Sequence, residues 1–222
     1  MSQRKWFDYS FLALGLIIQV VTYALMPHDT WLSLVSGCFG VCSVCLASQG
    51  NIFTYLFGFA QVGTYTYLCY TQRFYGEIAI NAYYFVTMIY GVFVWKSRIR
   101  NQESGLVTPR RLSWLTLVLI AVCTLLGSWL TGWGLAAWTD DTQPYLDAFS
   151  TIPALVAQVL MILVYREHWY LWLAVDILSV ALWLRAGDYC MAAQYAFWCA
   201  NCLYGLRRWH SLEESTTSHS AS

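Results

Sequence analysis

The chain has 222 residues, of which 59% are hydrophobic, 18% aromatic and only 11% charged, with Lys+Arg 12 balancing Asp+Glu 12. Soluble domains carry about 25% charged residues, so this composition excludes a disordered chain, a coiled coil, a nucleic-acid binder with a basic face and a water-soluble enzyme. What it leaves is a small protein that crosses a membrane several times.

A bilayer core needs about 20 apolar residues per helix. Stretches at 7–26, 30–48, 51–70, 77–95, 112–132, 146–165, 168–184 and 188–206 meet that length. Backbone polar groups in lipid must be satisfied within the segment, so all are expected to be helices. Arg4 and Lys5 precede the first stretch as they would in a signal peptide. That stretch is long, however, carries Gln19 and Tyr23, and ends at Pro27 without a small-x-small pattern, so it reads as a retained helix. With the N-terminus inside, the inner segments hold ten basic residues (Arg4, Lys5, Lys96, Arg98, Arg100, Arg110, Arg111, Arg166, Arg207 and Arg208), against two outside, Arg73 and Arg185. Basic residues collect on the cytoplasmic side, so both termini are expected there.

The chain also repeats itself. Met88-Ile89-Tyr90-Gly91 runs on to Trp95, and Cys202-Leu203-Tyr204-Gly205 runs on to Trp209, at a constant offset of 114 residues. The offset also pairs Tyr75 with Tyr189. Spans two to four and six to eight therefore form two triplets of the same direction, with span five as the link. Transporters built from repeats hold substrate near the midplane between them.

The polar residues inside the spans are few. Asp176 is the deep carboxylate, on one face with Trp169, Trp172, Ser179 and Trp183. An ionisable group at that depth is costly and faces a cavity or a partner. Span eight offers Gln194, Trp198 and Asn201, span four Asn81, Tyr84, Phe85 and Met88, and span three Gln61 with Tyr65. Amide plus aromatic thus recurs on one face of several spans. Gln19 and Gln158 lack aromatic company and read as helix-to-helix bonds. Trp95 and Trp169 read as interfacial belt residues. The eight cysteines sit mostly within spans and read as packing, since no His or carboxylate lies near Cys38, Cys42 and Cys45 in sequence. No metal or cofactor set emerges.

Rings stack on planar ligands and attract cations, while amides and a carboxylate suit hydroxyls and a carboxamide. Without Lys or Arg in the spans a phosphate has no counter-charge. The expected ligand is flat, hydroxylated, and neutral or singly cationic, such as a nucleoside or vitamin. An integral membrane enzyme would need a paired acid and base, an activated nucleophile or a metal cluster, and none is evident.

Trp169-x-x-Trp172-x-x-x-Asp176, Gln194-Tyr195, Tyr204-Gly205 and Ile89-Tyr90-Gly91 ahead of Trp95 give a chain that resembles the PnuC family of bacterial nicotinamide riboside transporters over about 30–210. The resemblance implies an all-α integral membrane protein with SWEET-like parallel repeats of three helices joined by a linker helix (3+1+3), plus one extra N-terminal helix. The divisions are then 1–28 for the extra helix, 29–98 for the first repeat, 99–135 for a cytoplasmic loop and linker helix, 136–210 for the second repeat and 211–222 for a disordered cytoplasmic tail. It implies uptake of nicotinamide riboside across the bacterial inner membrane by facilitated diffusion, with trapping by a cytosolic riboside kinase. Neither a nucleic-acid partner nor a cofactor is implied, and self-association is left open.

On this reading Trp183 and an aromatic of span four, Tyr84 or Phe85, stack on the pyridinium. Gln61, Asn81, Gln194 and Asn201 bond the ribose hydroxyls and carboxamide. Asp176 bonds the ribose or balances the positive ring, and Trp172 and Trp198 complete the walls. The rival readings are a carrier of another flat vitamin, thiamine or riboflavin, and a membrane vitamin sensor that does not transport.

Overall fold

The computed structural model describes residues 2–26, 30–73, 75–99, 105–140, 143–187 and 189–220. Among them are eight helices: α1 (Ser2–Leu25), α2 (Trp31–Ser48), α3 (Thr54–Gln72), α4 (Tyr75–Ile99), α5 (Trp114–Trp138), α6 (Pro144–Ile162), α7 (His168–Ala186) and α8 (Tyr189–Ser220). They follow the stretches expected from hydropathy, except that α8 runs on to Ser220, so the backbone of 211–220 is helical rather than irregular. Arg100, His28 and Asp188 lie outside the described residues.

Length and composition alone qualify α1, α2, α4, α5 and α6 as membrane spans. Helices α3, α7 and α8 miss that standard although each has at least 19 residues. They are the helices that carry Gln61, Asp176 and Asn201, whose polar groups lower the mean hydropathy. The outer helices behave as lipid-facing helices should. Helix α5 exposes Leu115, Leu119, Leu126 and Leu130 and buries the small stripe Thr124, Ser128 and Gly132 against α6. A Cβ at Gly132 would stand 2.6 Å from Tyr145, so the missing side chain sets how closely α5 and α6 approach.

Helix ends are closed by local chemistry. Thr30 caps α2 by accepting from Ser33 N at 3.2 Å, and Ser113 caps α5 by accepting from Thr116 N at 3.1 Å. Helices α3 and α7 both end in a left-handed residue, Arg73 (φ 61) and Gly187 (φ 79). The tight turns after α2 and α6 use the same device, at Gly50 (φ 72) and Val164 (φ 66). Each pair is separated by the 114-residue offset seen in the sequence.

The contacts repeat at that offset too. The Trp95 indole donates to the Met161 carbonyl at 3.2 Å, and the Trp209 indole donates to the Ala47 carbonyl at 3.0 Å. Gly91 is packed by Tyr55, and Gly205 by Trp169. One turn further along the helices, Gln158 Nε2 donates to Thr87 Oγ1 and Asn201 Nδ2 donates to the Val44 carbonyl, each at 3.4 Å. Helix α4 therefore packs on α6 as α8 packs on α2, forming two matched seams.

Trp95 and Trp169 are both buried, which corrects their reading as belt residues. Each indole is taken up by packing between helices instead of by the headgroup region. Helix α1 lies over the α2–α8 seam, where Phe11 stacks on Phe197 and the Tyr204 hydroxyl donates to Asp8. At the end of the bundle rich in Lys and Arg, the α4–α5 loop runs between the two turns. Val107 N donates to Gly50 O, Arg110 N to Val164 O, and Arg166 N to Arg110 O.

Candidate functional site

A cavity of about 290 Å³ lies between the two seams, lined by α2, α3, α4, α6, α7 and α8 and by neither α1 nor α5. On α4 the inward positions run Asn81, Tyr84, Met88, Gly91 and Trp95, a spacing of four and three that keeps one helix face turned to the centre. On α8 the matching stripe is Tyr195, Trp198, Cys202, Gly205 and Trp209. Its register is set by Gly205, where a Cβ would stand 2.5 Å from the Trp169 ring.

The floor of the cavity is aromatic. Tyr55 meets Trp95 edge-on with centroids 5.2 Å apart, and Trp169 meets Trp209 edge-on at 5.9 Å. Trp95 and Trp209 touch at 5.8 Å and close the layer. His168 is buried beside them at 4.6 Å from Trp209, its Nδ1 bonded to the Tyr165 carbonyl at 2.7 Å. Beneath this layer, Arg166 pairs with Glu213 at 2.6 Å and Arg110 stacks over Tyr165.

Above the floor the walls turn polar. Ser43 and Thr54 exchange hydroxyl-to-carbonyl bonds of 2.9 Å, tying α2 to α3. Cys202 Sγ donates to Asp176 Oδ2 at 3.3 Å. Three lining residues keep a buried polar atom with no protein partner: Tyr55 Oη, Trp169 Nε1 and Asn201 Oδ1. Tyr55 Oη and the nitrogen side of the Trp169 ring are turned to Gly91 and Gly205 in the seams, where the absent side chains leave them room. Among the described residues, no lysine, arginine or histidine lines the cavity, and Asp176 is the only carboxylate that does.

Six of the residues singled out from the sequence meet at this cavity: Gln61, Tyr84, Trp172, Asp176, Trp198 and Asn201. Four do not line it. Phe85 is 45% exposed and packs edge-on against Phe59, because the cavity face of α4 passes through Tyr84 and the next residue points about 100° away. Gln194 is half-buried and off the α8 stripe, and Tyr195 takes the inward position. Asn81 is buried one turn beyond Tyr84, its amide turned back to the Glu77 carbonyl at 2.8 Å. Trp183 stands two turns beyond Asp176 on α7, past Ser179, whose hydroxyl donates to the Val175 carbonyl at 2.9 Å.

Other lining residues were not singled out. Gln158 reaches the cavity although it reads as a purely structural amide, and Tyr55, Tyr195, Ser43 and Thr54 join it. The repeat held the signal for two of them, since the offset maps Tyr55 onto Trp169 and Asn81 onto Tyr195.

Comparison with known proteins places this architecture. Residues 30–211 match the family described as nicotinamide mononucleotide transporter. The nicotinamide riboside transporter PnuC of Haemophilus influenzae is 36% identical over 221 residues, covering 97% of this chain and 95% of the relative. The protein of the same name from Neisseria mucosa is 32% identical, covering 93% of this chain and 81% of the relative. The riboflavin/roseoflavin transporter RibM of Streptomyces davaonensis is 21% identical, covering 82% and 85%. Among solved structures, the crystal structure of the vitamin B3 transporter PnuC aligns with a TM-score of 0.77 at 30% identity, covering 94% of this chain and 92% of that one. A match over residues 30–211, together with full-length relatives above 30% identity, means that the chain belongs to the nicotinamide mononucleotide transporter family of membrane proteins.

Proposed function

We propose that this chain carries nicotinamide riboside across the bacterial inner membrane. The observation that carries the reading is the lining of the cavity: rings, amides and one carboxylate, with no basic side chain among the described residues. A pyridinium riboside brings a flat cation, hydroxyls and a carboxamide, and each finds a counterpart. Trp172, Trp198 and Tyr84 stack on the ring. Gln61, Asn201 and Gln158 bond the ribose and carboxamide. Asp176 faces the positive charge. Asn81 and Trp183 act from beyond the cavity, Asn81 by its bond within α4 and Trp183 from the far turns of α7. The mononucleotide in the family's description adds a phosphate, which would meet Asp176 and no cation.

The triplets 29–98 and 136–210 act as SWEET-like parallel repeats joined by the linker α5, and they rock about the cavity by alternating access. The end that carries Lys96, Arg98, Arg110, Arg111, Arg207 and Arg208 faces the cytoplasm, following the positive-inside rule. Transport is facilitated diffusion, and a cytosolic riboside kinase traps the product by adding the phosphate that the site rejects.

Binding titration of the purified protein tests the assignment, with nicotinamide riboside, nicotinamide, thiamine, riboflavin and nicotinamide mononucleotide as ligands. The riboside is expected to bind tightest, with no competition by the mononucleotide. Tighter binding of riboflavin would transfer the reading to the chemistry named for the Streptomyces davaonensis relative. Uptake of labelled riboside into liposomes holding only this protein separates a carrier from a sensor.

A further inference from the structure

The hydroxyl pair that ties α2 to α3 is chemically one-sided. Ser43 Oγ donates to the Thr54 carbonyl and Thr54 Oγ1 donates to the Ser43 carbonyl, both at 2.9 Å, while the two hydroxyl oxygens lie 3.2 Å apart. A hydroxyl has one proton and two lone pairs. Both protons are spent on carbonyls, so neither oxygen has one left for the other or for a ligand. What remains is two adjacent oxygens that can only accept.

Both residues line the cavity. Thr54 is 1% exposed and Ser43 is half-buried, so Ser43 Oγ is the oxygen within easier reach. Thr54, Gly58 and Gln61 follow one another at spacings of four and three on α3, and all three line the cavity. A Cβ at Gly58 would stand 3.1 Å from Ser43 Oγ, so the glycine leaves that oxygen uncovered, with the flexible thioether end of Met88 beside it. The 114-residue offset maps Ser43 onto Ala157 and Thr54 onto His168, so the pair is no part of the repeated scaffold. It belongs to the α2–α3 side, whereas Trp172, Trp198 and the Asp176 carboxylate come from α7 and α8.

An oxygen that only accepts suits a group that only donates. Ribose hydroxyls donate and accept, and they match Gln61, Gln158 and Asn201, whose amides do both. A carboxamide nitrogen only donates, through two N–H bonds. A carboxylate in its place brings lone pairs alone and is repelled. We infer, on the riboside reading above, that Ser43 is a specificity residue whose Oγ accepts a hydrogen bond from the carboxamide nitrogen of the substrate, so that the cavity separates the amide from the corresponding acid.

The test titrates three ribosides against the purified full chain in detergent. They share the pyridinium and the sugar and carry a carboxamide, a methyl ketone or a carboxylate on the ring. The ketone keeps the carbonyl and the size of the amide but has no N–H. In wild type the ketone is expected to bind about tenfold more weakly than the amide, and the acid more weakly still. Ser43→Ala is expected to weaken the amide about tenfold and to leave the ketone within about twofold, so that the two bind alike. Ser43→Cys keeps a donor for the Thr54 carbonyl and offers a poorer acceptor, so it is expected to lower the amide-to-ketone ratio severalfold even if the alanine variant does not fold. Thr54→Val removes a tie between the helices but keeps Ser43 Oγ, and should hold that ratio within about twofold of wild type whatever it does to stability. A loss in either Ser43 variant that is equal for amide and ketone overturns the inference, because it makes Ser43 a packing residue. Wild type that binds all three ribosides alike overturns the inference alone. Wild type that binds none of them overturns the riboside reading and takes the inference with it.

Discussion

Adding a methyl group at Gly205 gives the sharpest test of how the cavity is built. A Cβ there would stand 2.5, 2.6 and 2.8 Å from three atoms of the Trp169 ring. Carbon atoms rest at about 3.5–4.0 Å, so the ring must retreat by about 1 Å. It is held by His168 at 4.4 Å and Trp209 at 5.9 Å between centroids, and its open side is the cavity it lines. Overpacking of this kind costs about 1–3 kcal/mol. If the shift falls wholly on ligand binding, Gly205→Ala weakens riboside affinity by roughly 5- to 150-fold. Calorimetric titration in detergent measures it, with thermal unfolding read on the same sample. Gly63→Ala is the matched control, because nothing lies within 4 Å of a Cβ at that position, and it should shift neither reading by more than about 0.5 kcal/mol. If Gly205→Ala binds riboside as wild type does and unfolds at the same temperature, Trp169 is not wedged as described, and the floor of the site is wrong.

Adjacent residues on α4 should behave oppositely: Tyr84→Ala is expected to weaken riboside binding tenfold or more, whereas Phe85→Ala leaves it within about twofold, checked by the same titration. Trp95→Phe and Trp209→Phe each remove one indole donor to a carbonyl across a seam, and both should lower thermal stability in detergent by similar amounts, about 1–3 kcal/mol each. Gly50→Ala places a side chain at φ 72 and within 3.2 Å of Leu212 and Val107, so it should destabilise the fold by at least about 1 kcal/mol in the same assay. In riboside titrations, Asn201→Ala should weaken affinity by about tenfold, because Asn201 lines the cavity and its amide ties α8 to the Val44 carbonyl of α2, while Gln194→Ala, off the lining, should have little effect.

Much of the architecture was legible because lipid leaves a chain few choices. Every buried backbone group must be bonded within its own segment, so hydropathy places the lipid-facing helices to within a few residues, as Trp31–Ser48 shows. The central residues of the site were legible for a related reason: Asp176 and Asn201 are polar where polarity is expensive. The misses came from rotation about a helix axis. Gln194 and Tyr195 are adjacent, and choosing between them needs the register of α8, which Gly205 and Trp209 fix by packing on elements far away in sequence. Trp95 and Trp169 were misplaced because a tryptophan near a span end looks the same in sequence whether it faces headgroups or a neighbouring helix. Gln158 was passed over because its seam partner Thr87 lies 71 residues away.

The two indole-to-carbonyl bonds across the seams bear on how the molecule can be assembled. Each triplet supplies the acceptor that the other's last tryptophan requires: Ala47 for Trp209, and Met161 for Trp95. A fragment ending before α6 would keep Trp95 but lose its acceptor, and a fragment starting after α5 would do the same to Trp209. Orphaning a buried donor costs about 1–3 kcal/mol, on top of the apolar surface stripped bare at the cut. The two portions are thus complementary pieces of one object rather than autonomous modules, and during synthesis the early portion has to wait in the membrane for the late one before its own interior is complete.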